Sequence, residues 1–143
     1  MICPFCTNHE RGQEVIQRQL LFATEKWNVI FDHKPLTKGH LILTPKEHRS
    51  VRSDLTAEEN ADLFNVYQKV HECYQKVFGY TSNITYEKNG LGIPHFQIHL
   101  LPVSSKLHSV WVQIMLFVRT FTFNFWSLNA EKLAALRNEF LAR

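Results

Sequence analysis

Apolar and polar positions fall in blocks along this chain, and the blocks predict strands around one long helix. Leu20-Leu21-Phe22-Ala23 and Trp27-Asn28-Val29-Ile30-Phe31 are short apolar runs separated by polar Thr24-Glu25-Lys26, which is a hairpin pattern. Lys34-Pro35 and Lys38-Gly39 mark a loop. His40-Leu41-Ile42-Leu43-Thr44 then predicts a third strand, closed by Pro45, which cannot continue a ladder. Thr56-Ala57-Glu58-Glu59 has the form of a capping box. Beyond it Leu63, Val66, Tyr67, Val70, Cys73, Tyr74 and Val77 recur at helical spacing, and Gly79 is a stop signal. Strands are predicted over 83–87 and 96–101, with Asn89-Gly90-Leu91-Gly92 as a turn between them. The segment 120–125 alternates strictly and predicts another strand. In the tail, Asn129 can cap a short helix, with Leu128 and Leu133 at staple positions and Leu133, Leu136 and Phe140 facing inward. The expected class is α+β with an antiparallel sheet.

Composition narrows the function classes. The 143 residues fit one domain, 1–143, with no linker or repeat to divide it. A net charge of +3 permits an anionic small ligand without calling for nucleic acid. The run Val110 to Val118 is far short of the roughly 20 apolar residues that a membrane span needs. Cys3 follows only two residues, which leaves no room for a secretory apolar region, and three cysteines argue against a disulfide framework. A reducing, cytoplasmic setting is therefore expected. Cys73 reads as a core thiol, and His9, His71 and His108 read as surface residues.

The chemistry concentrates in Pro94-His95-Phe96-Gln97-Ile98-His99-Leu100-Leu101-Pro102. In a strand, alternate residues share a face, so His95, Gln97 and His99 line up opposite Phe96, Ile98 and Leu100. Three hydrogen-bonding side chains beside a Gly-x-Gly turn can surround a phosphate, with backbone N–H groups close to the anion. The alternative is a solvated strand face that happens to carry two histidines and a glutamine.

This segment resembles the signature of the histidine triad superfamily, His-φ-His-φ-His-φ-φ with φ apolar. Upstream, Phe31-Asp32-His33-Lys34-Pro35-Leu36-Thr37-Lys38-Gly39-His40-Leu41-Ile42-Leu43-Thr44-Pro45-Lys46-Glu47-His48 is similar to the family's Asp-x-x-Pro-x-x-x-Gly-His stretch and its Pro-Lys-x-His end. The likeness runs from about residue 3 to 102, in order. It implies a HIT-like fold: a five-stranded antiparallel sheet, a long helix and a shorter C-terminal helix, often in a homodimer. It implies a nucleoside monophosphate moiety as ligand, and hydrolysis or transfer at nucleoside phosphoanhydrides or phosphoramidates. By position Asp32 matches the ribose-binding residue, with Ile30 and His33 bordering the base. His40 matches a residue that buttresses the triad, and His99 matches its third member, a phosphate contact. Asn89 and Gly92 complete the expected nucleotide-binding set.

The middle position departs from the pattern. There the family has its nucleophile, and here stands Gln97. An amide neither titrates near neutrality nor offers a comparable lone pair, so covalent catalysis is in doubt. A register slid by two residues would lose the Leu-Pro anchor after the triad. The remaining readings are a binder without covalent turnover, and slow hydrolysis by direct water attack with His99 as base. A Gln introduced deliberately to trap a complex fits the same pattern, and a non-catalytic, zinc-stapled interaction module is the alternative outside catalysis.

Cys3-Pro4-Phe5-Cys6 has the spacing of a metal knuckle, and with no second such pair the other ligands would be histidines. The resemblance extends to the zinc-containing, bacterial-type branch of the superfamily. It implies His48 and His95 as those ligands, which gives a closed structural Zn²⁺ site. A redox pair is the competing reading, but such motifs follow a strand at a helix start. Lys34, Lys38, Lys46, Arg49 and Arg52 form a basic stretch that reads as a solvated face with some attraction for phosphate.

Overall fold

The structure is a computed structural model and describes residues 3, 5–6, 10–89, 92–121 and 129–142. The elements run α1 (Glu10–Gln19), β1 (Leu20–Ala23), β2 (Trp27–Phe31), β3 (Leu41–Pro45), α2 (Ala57–Phe78), β4 (Asn83–Lys88), β5 (Gln97–Pro102), α3 (Lys106–Phe121) and α4 (Ala130–Leu141). The five strands form one sheet in the order β1-β2-β3-β5-β4, and every neighbouring pair is antiparallel. This is the α+β, HIT-like architecture that the resemblance implied.

Local chemistry explains the main elements. The Thr56 hydroxyl accepts from the Glu59 N–H while the Glu59 carboxylate accepts from the Thr56 N–H, so both orphan donors at the start of α2 are satisfied. Gly79 closes the helix in the left-handed region at φ 73°. Leu63, Val66, Val70, Tyr74 and Val77 of α2 then pack onto Trp27, Val29, Phe31, Leu41, Leu43, Phe96, Ile98 and Leu100. Trp27 donates its indole N–H to the Glu59 carbonyl at 2.8 Å, and the Tyr74 hydroxyl donates to the Gly39 carbonyl at 2.9 Å. At Gly39 (φ 81°) a Cβ would meet the Phe78 ring at 2.8 Å, so both conformation and space require glycine. Asn129 caps α4 by accepting from the Lys132 N–H, and Leu133 and Phe140 are buried.

The opposite face of the sheet positions the site. Ile30 of β2 and Ile42 of β3 meet Ile16 of α1 with Cys3 and Phe5. Farther along, Val112 and Leu116 of α3 dock beside Leu101, Val103, Ile84 and Tyr86. The gap between these two packed patches leaves Gln97, His99, Asp32 and Lys88 around an opening.

One expectation is corrected. Thr120 and Phe121 end α3 rather than start a strand, while 122–125 and Leu128 lie outside the described residues. The helix forms because Val112 and Leu116, four apart, share the face that docks on β5, and the Ser105 hydroxyl accepts from the His108 N–H at its start. The polar row of β5 is buried at His95, Gln97 and His99, which sets aside the alternative of a solvated strand face. Among the described residues no helix is long and apolar enough to cross a membrane.

Candidate functional site

A cavity of about 340 Å³ opens over β5, within the size range of small-ligand sites. Asp32, His33, Gln97 and His99 line it, and so do Lys88 and Arg119, which the sequence reading did not single out. Register puts Lys88 directly across from Gln97 and Tyr86 across from His99. The Tyr86 ring stacks on the His99 imidazole, with centroids 4.4 Å apart and planes 7° from parallel, and this fixes the imidazole plane. Arg119 reaches in from α3, donating to the Lys34 carbonyl at 2.8 Å with a second nitrogen 3.5 Å from Asp32 Oδ2.

A hydrogen-bond chain sets the histidine tautomers. The Leu36 backbone N–H donates to His40 Nδ1 at 3.3 Å. His40 must then carry its proton on Nε2, which lies 3.0 Å from His99 Nδ1 and donates to it. The Asp32 carboxylate stands farther off, 3.5 Å from His40 Nδ1, as an electrostatic contact only. His99 is thereby left with a proton on Nε2. That atom is buried and has no partner among the described residues. An unpaired buried donor bordering a cavity is costly unless a ligand accepts from it.

The charges follow from burial. Desolvation pushes the His40 pKa down to about 4, Asp32 opposing and Arg119 and Lys88 assisting. Desolvation also drives His99 far below the ordinary histidine range, with His40 and Lys88 adding to the effect. Burial would raise Asp32, but His40, Arg119 and the Lys34 N–H together hold it below the usual carboxylate range. The cavity thus combines neutral imidazoles, one carboxylate and two cations.

These depressed values carry a prediction. An imidazole buried neutral, with a folded pKa below its unfolded one, contributes stability that is present above the unfolded pKa and lost as pH falls. For His40 that window runs from 6.5 down to about 4. It corresponds to about 3 kcal/mol lost across the window. Urea unfolding at pH 7.5, 6 and 5 should show this decline, and a His40→Gln variant should show a flatter one. Equal slopes would mean that His40 is not buried neutral.

Below the cavity, four potential ligands meet. Cys3 Sγ lies 3.3 Å and Cys6 Sγ 3.7 Å from His95 Nδ1, and Cys6 Sγ lies 3.0 Å from His48 Nδ1. All four ligand atoms fall within 4.8 Å of one another. The His95 Nε2–H donates to the Pro45 carbonyl at 2.9 Å, which turns the Nδ1 lone pair toward the sulfurs. Two thiols and two imidazoles so arranged are compatible with tetrahedral zinc.

Other expected residues stand elsewhere. Ile30 is fully buried beneath the site and His40 stands behind His99, so neither lines the cavity. Asn89 accepts from the Arg52 N–H through its side chain, and Gly92 sits at φ 82°, and neither lines the cavity. Gly90, Leu91 and His9 lie outside the described residues. The basic stretch is spent on structure: Lys38 pairs with Glu139, Arg49 with Glu59 and Arg52 with Glu87, while Lys46 donates to the Thr24 carbonyl. The cations at the cavity are Lys88 and Arg119. Strand alternation from Ile84 through Tyr86 was the one available signal for Lys88, and Arg119 had none without the helix.

Comparison with known proteins agrees with this architecture. The chain is 34% identical over 87 residues to the nitrilase and fragile histidine triad fusion protein NitFhit of Caenorhabditis elegans, covering 58% of this chain and 20% of the relative. It is 31% identical over 88 residues to an asymmetrical bis(5'-nucleosyl)-tetraphosphatase of Schizosaccharomyces pombe, covering 59% and 48%. It is 32% identical over 90 residues to a bis(5'-adenosyl)-triphosphatase of Dictyostelium discoideum, covering 60% of each. The chain therefore spans between 20% and 60% of the length of these curated relatives. A zinc-bound histidine triad family protein of Mycobacterium smegmatis shares the fold, with a TM-score of 0.60 at 17% identity over 90% of this chain and 91% of that one. The HIT domain profile matches residues 13–106, and the chain belongs to the HIT domain family.

Proposed function

We propose that the cavity over β5 binds a nucleoside phosphate and that this chain holds it without covalent turnover. The observation that carries the reading is the buried, unpartnered Nε2–H of His99, bordering a cavity that also holds a carboxylate and two cations. A phosphate oxygen supplies the acceptor which that donor lacks. Asp32 takes the ribose hydroxyls, since an ionised carboxylate accepts two such bonds well. His33 borders the base with Ile30 packed beneath it, His40 holds His99 in its donor tautomer, and Asn89 and Gly92 shape the turn that follows β4. That two of the relatives are named as nucleosyl-tetraphosphatase and adenosyl-triphosphatase favours nucleoside polyphosphates as the ligand class.

Gln97 occupies the position of the middle triad histidine and gives no nucleophile. Direct water attack is disfavoured too. His99 Nδ1 already accepts from His40 and Nε2 carries a proton, so His99 offers no basic nitrogen to a water in the cavity. The Cys3, Cys6, His48 and His95 set belongs to the Cys-x-x-Cys zinc branch and would hold a structural Zn²⁺ that fastens the N-terminal segment to the foot of β5. One domain over 1–143, a homodimer and a cytoplasmic setting complete the proposal.

Calorimetric titration with AMP tests the reading. Binding in the micromolar range is expected, with a loss of tenfold or more, about 1.4 kcal/mol or above, in Asp32→Ala. If AMP binds neither this chain nor a Gln97→His variant, the nucleotide reading is wrong even though the fold stands.

A further inference from the structure

Lys88 and Arg119 belong to neither the phosphate-facing row of β5 nor the motif around Asp32. They come from two separate elements, β4 and α3, and both line the cavity. Lys88 pairs in register with Gln97, so its side chain stands beside the place of the α-phosphate. It has no hydrogen bond or ion pair to its ammonium among the described residues. Arg119 is placed differently. It leans on Asp32 at 3.5 Å while one nitrogen is tied to the Lys34 carbonyl. With the histidines neutral, these two cations face a single carboxylate. A ligand that engages Asp32 through ribose hydroxyls competes with Arg119 for the same oxygen. The displaced guanidinium keeps its charge and needs another anion.

We propose that Arg119 and Lys88 form a phosphate-chain clamp in which Arg119 exchanges Asp32 for the ligand's outer phosphate, so that the site selects ligands charged beyond the α-phosphate. This rests on the nucleotide reading for the placement of the ribose, but the clamp itself recognises a run of phosphates whatever is attached to it. Lys88 neutralises the inner phosphate. Arg119, planar and always charged, takes the next one through its fork of N–H donors. Mono- and polyphosphates are thereby discriminated by a residue of α3, outside the triad strand.

The test uses calorimetry on the full chain with AMP, ADP and inorganic tripolyphosphate, and on Arg119→Ala, Arg119→Lys and Lys88→Met. ADP should bind about tenfold more tightly than AMP, the size of one charge-assisted contact. Arg119→Ala should remove that preference, so that ADP and AMP bind the variant within about threefold of each other, Arg119→Lys should restore part of it, and Lys88→Met should weaken all three ligands together. Arg119→Lys is also the control against lost α3 docking, because it keeps a donor for the Lys34 carbonyl. Tripolyphosphate binding without AMP binding would support the clamp and sink the nucleotide reading. AMP binding with an ADP preference that survives Arg119→Ala, or with no preference at all, would overturn the clamp and leave the reading standing. No binding of any of the three overturns both.

Discussion

Replacing Gln97 by histidine is expected to give the proposed nucleotide site a covalent route to hydrolysis. Gln97 stands on β5 two residues from both His95 and His99, is buried, and lines the cavity next to Lys88. Its amide nitrogen donates to the His95 carbonyl at 3.3 Å, so the side chain is held rather than loose. An imidazole of similar reach in that position presents a nitrogen lone pair to an α-phosphorus held by His99. The bond from phosphorus to the leaving group can then break as one to nitrogen forms, and water completes the turnover. A nucleophile restored to a site that keeps its other binding groups is worth at least on the order of 10²-fold in rate. Release of AMP from adenosine phosphoramidate and from a dinucleoside polyphosphate should therefore rise at least about 10²-fold in Gln97→His. Gln97→Asn should stay inactive, and AMP affinity should change little in either. Turnover by the unmodified chain at the variant's rate would show that another group performs the chemistry and that the glutamine is no obstacle.

Removing the thiols should have the largest effect on stability. A Cys3→Ser/Cys6→Ser variant is expected to lose one zinc per chain by metal analysis. With free zinc a thousandfold above Kd, the stabilisation forfeited is about 4 kcal/mol, and Tm falls by about 10 °C. The damage should be local. Cys3, Phe5, Ile16, Ile30 and Ile42 form a cluster on one face of the sheet, while α2 packs the larger core on the other. Far-UV circular dichroism should thus stay close to that of the parent at low temperature. A variant that keeps its zinc removes the assignment, and so does a parent that purifies without metal and forms a Cys3–Cys6 disulfide on oxidation.

The sequence was most legible where one residue type has one physical job. Thr56 and Glu59 could only make a capping box before an apolar stripe, and Gly79 could only end it. The hairpin from Leu20 to Phe31 and the row on β5 followed from alternation. The helices α1 and α3 were not read. In α1, only Val15 and Ile16 are apolar, too few to display a period. In α3, an almost unbroken apolar run from Val110 to Val118 shows no period that would single out Val112 and Leu116, the pair beside β5. At the site, motif positions brought Asp32, His33, Gln97 and His99 to one cavity, and Cys3, Cys6, His48 and His95 to one cluster. The cations were misjudged for a different reason. Lysines and arginines near a motif in sequence found carboxylates of their own, such as Glu59, Glu87 and Glu139. Those that reach the cavity are set by cross-strand register and by the approach of α3, neither of which leaves a local trace.

The strand order has a consequence for the growing chain. Among the described residues β5 is the last strand in sequence, yet it lies between β3 and β4. A nascent chain that has emerged only through Lys88 holds β1-β2-β3 with an open edge at β3, and a β4 still without its strand partner, and such edges invite pairing with other chains. Laying down 97–102 joins the two, and the same step brings His99 to His40 and carries Gln97 across from Lys88. Completion of the sheet therefore lays the floor of the cavity, which Arg119 of the later α3 then closes over, and a truncation before β5 forfeits sheet and floor together.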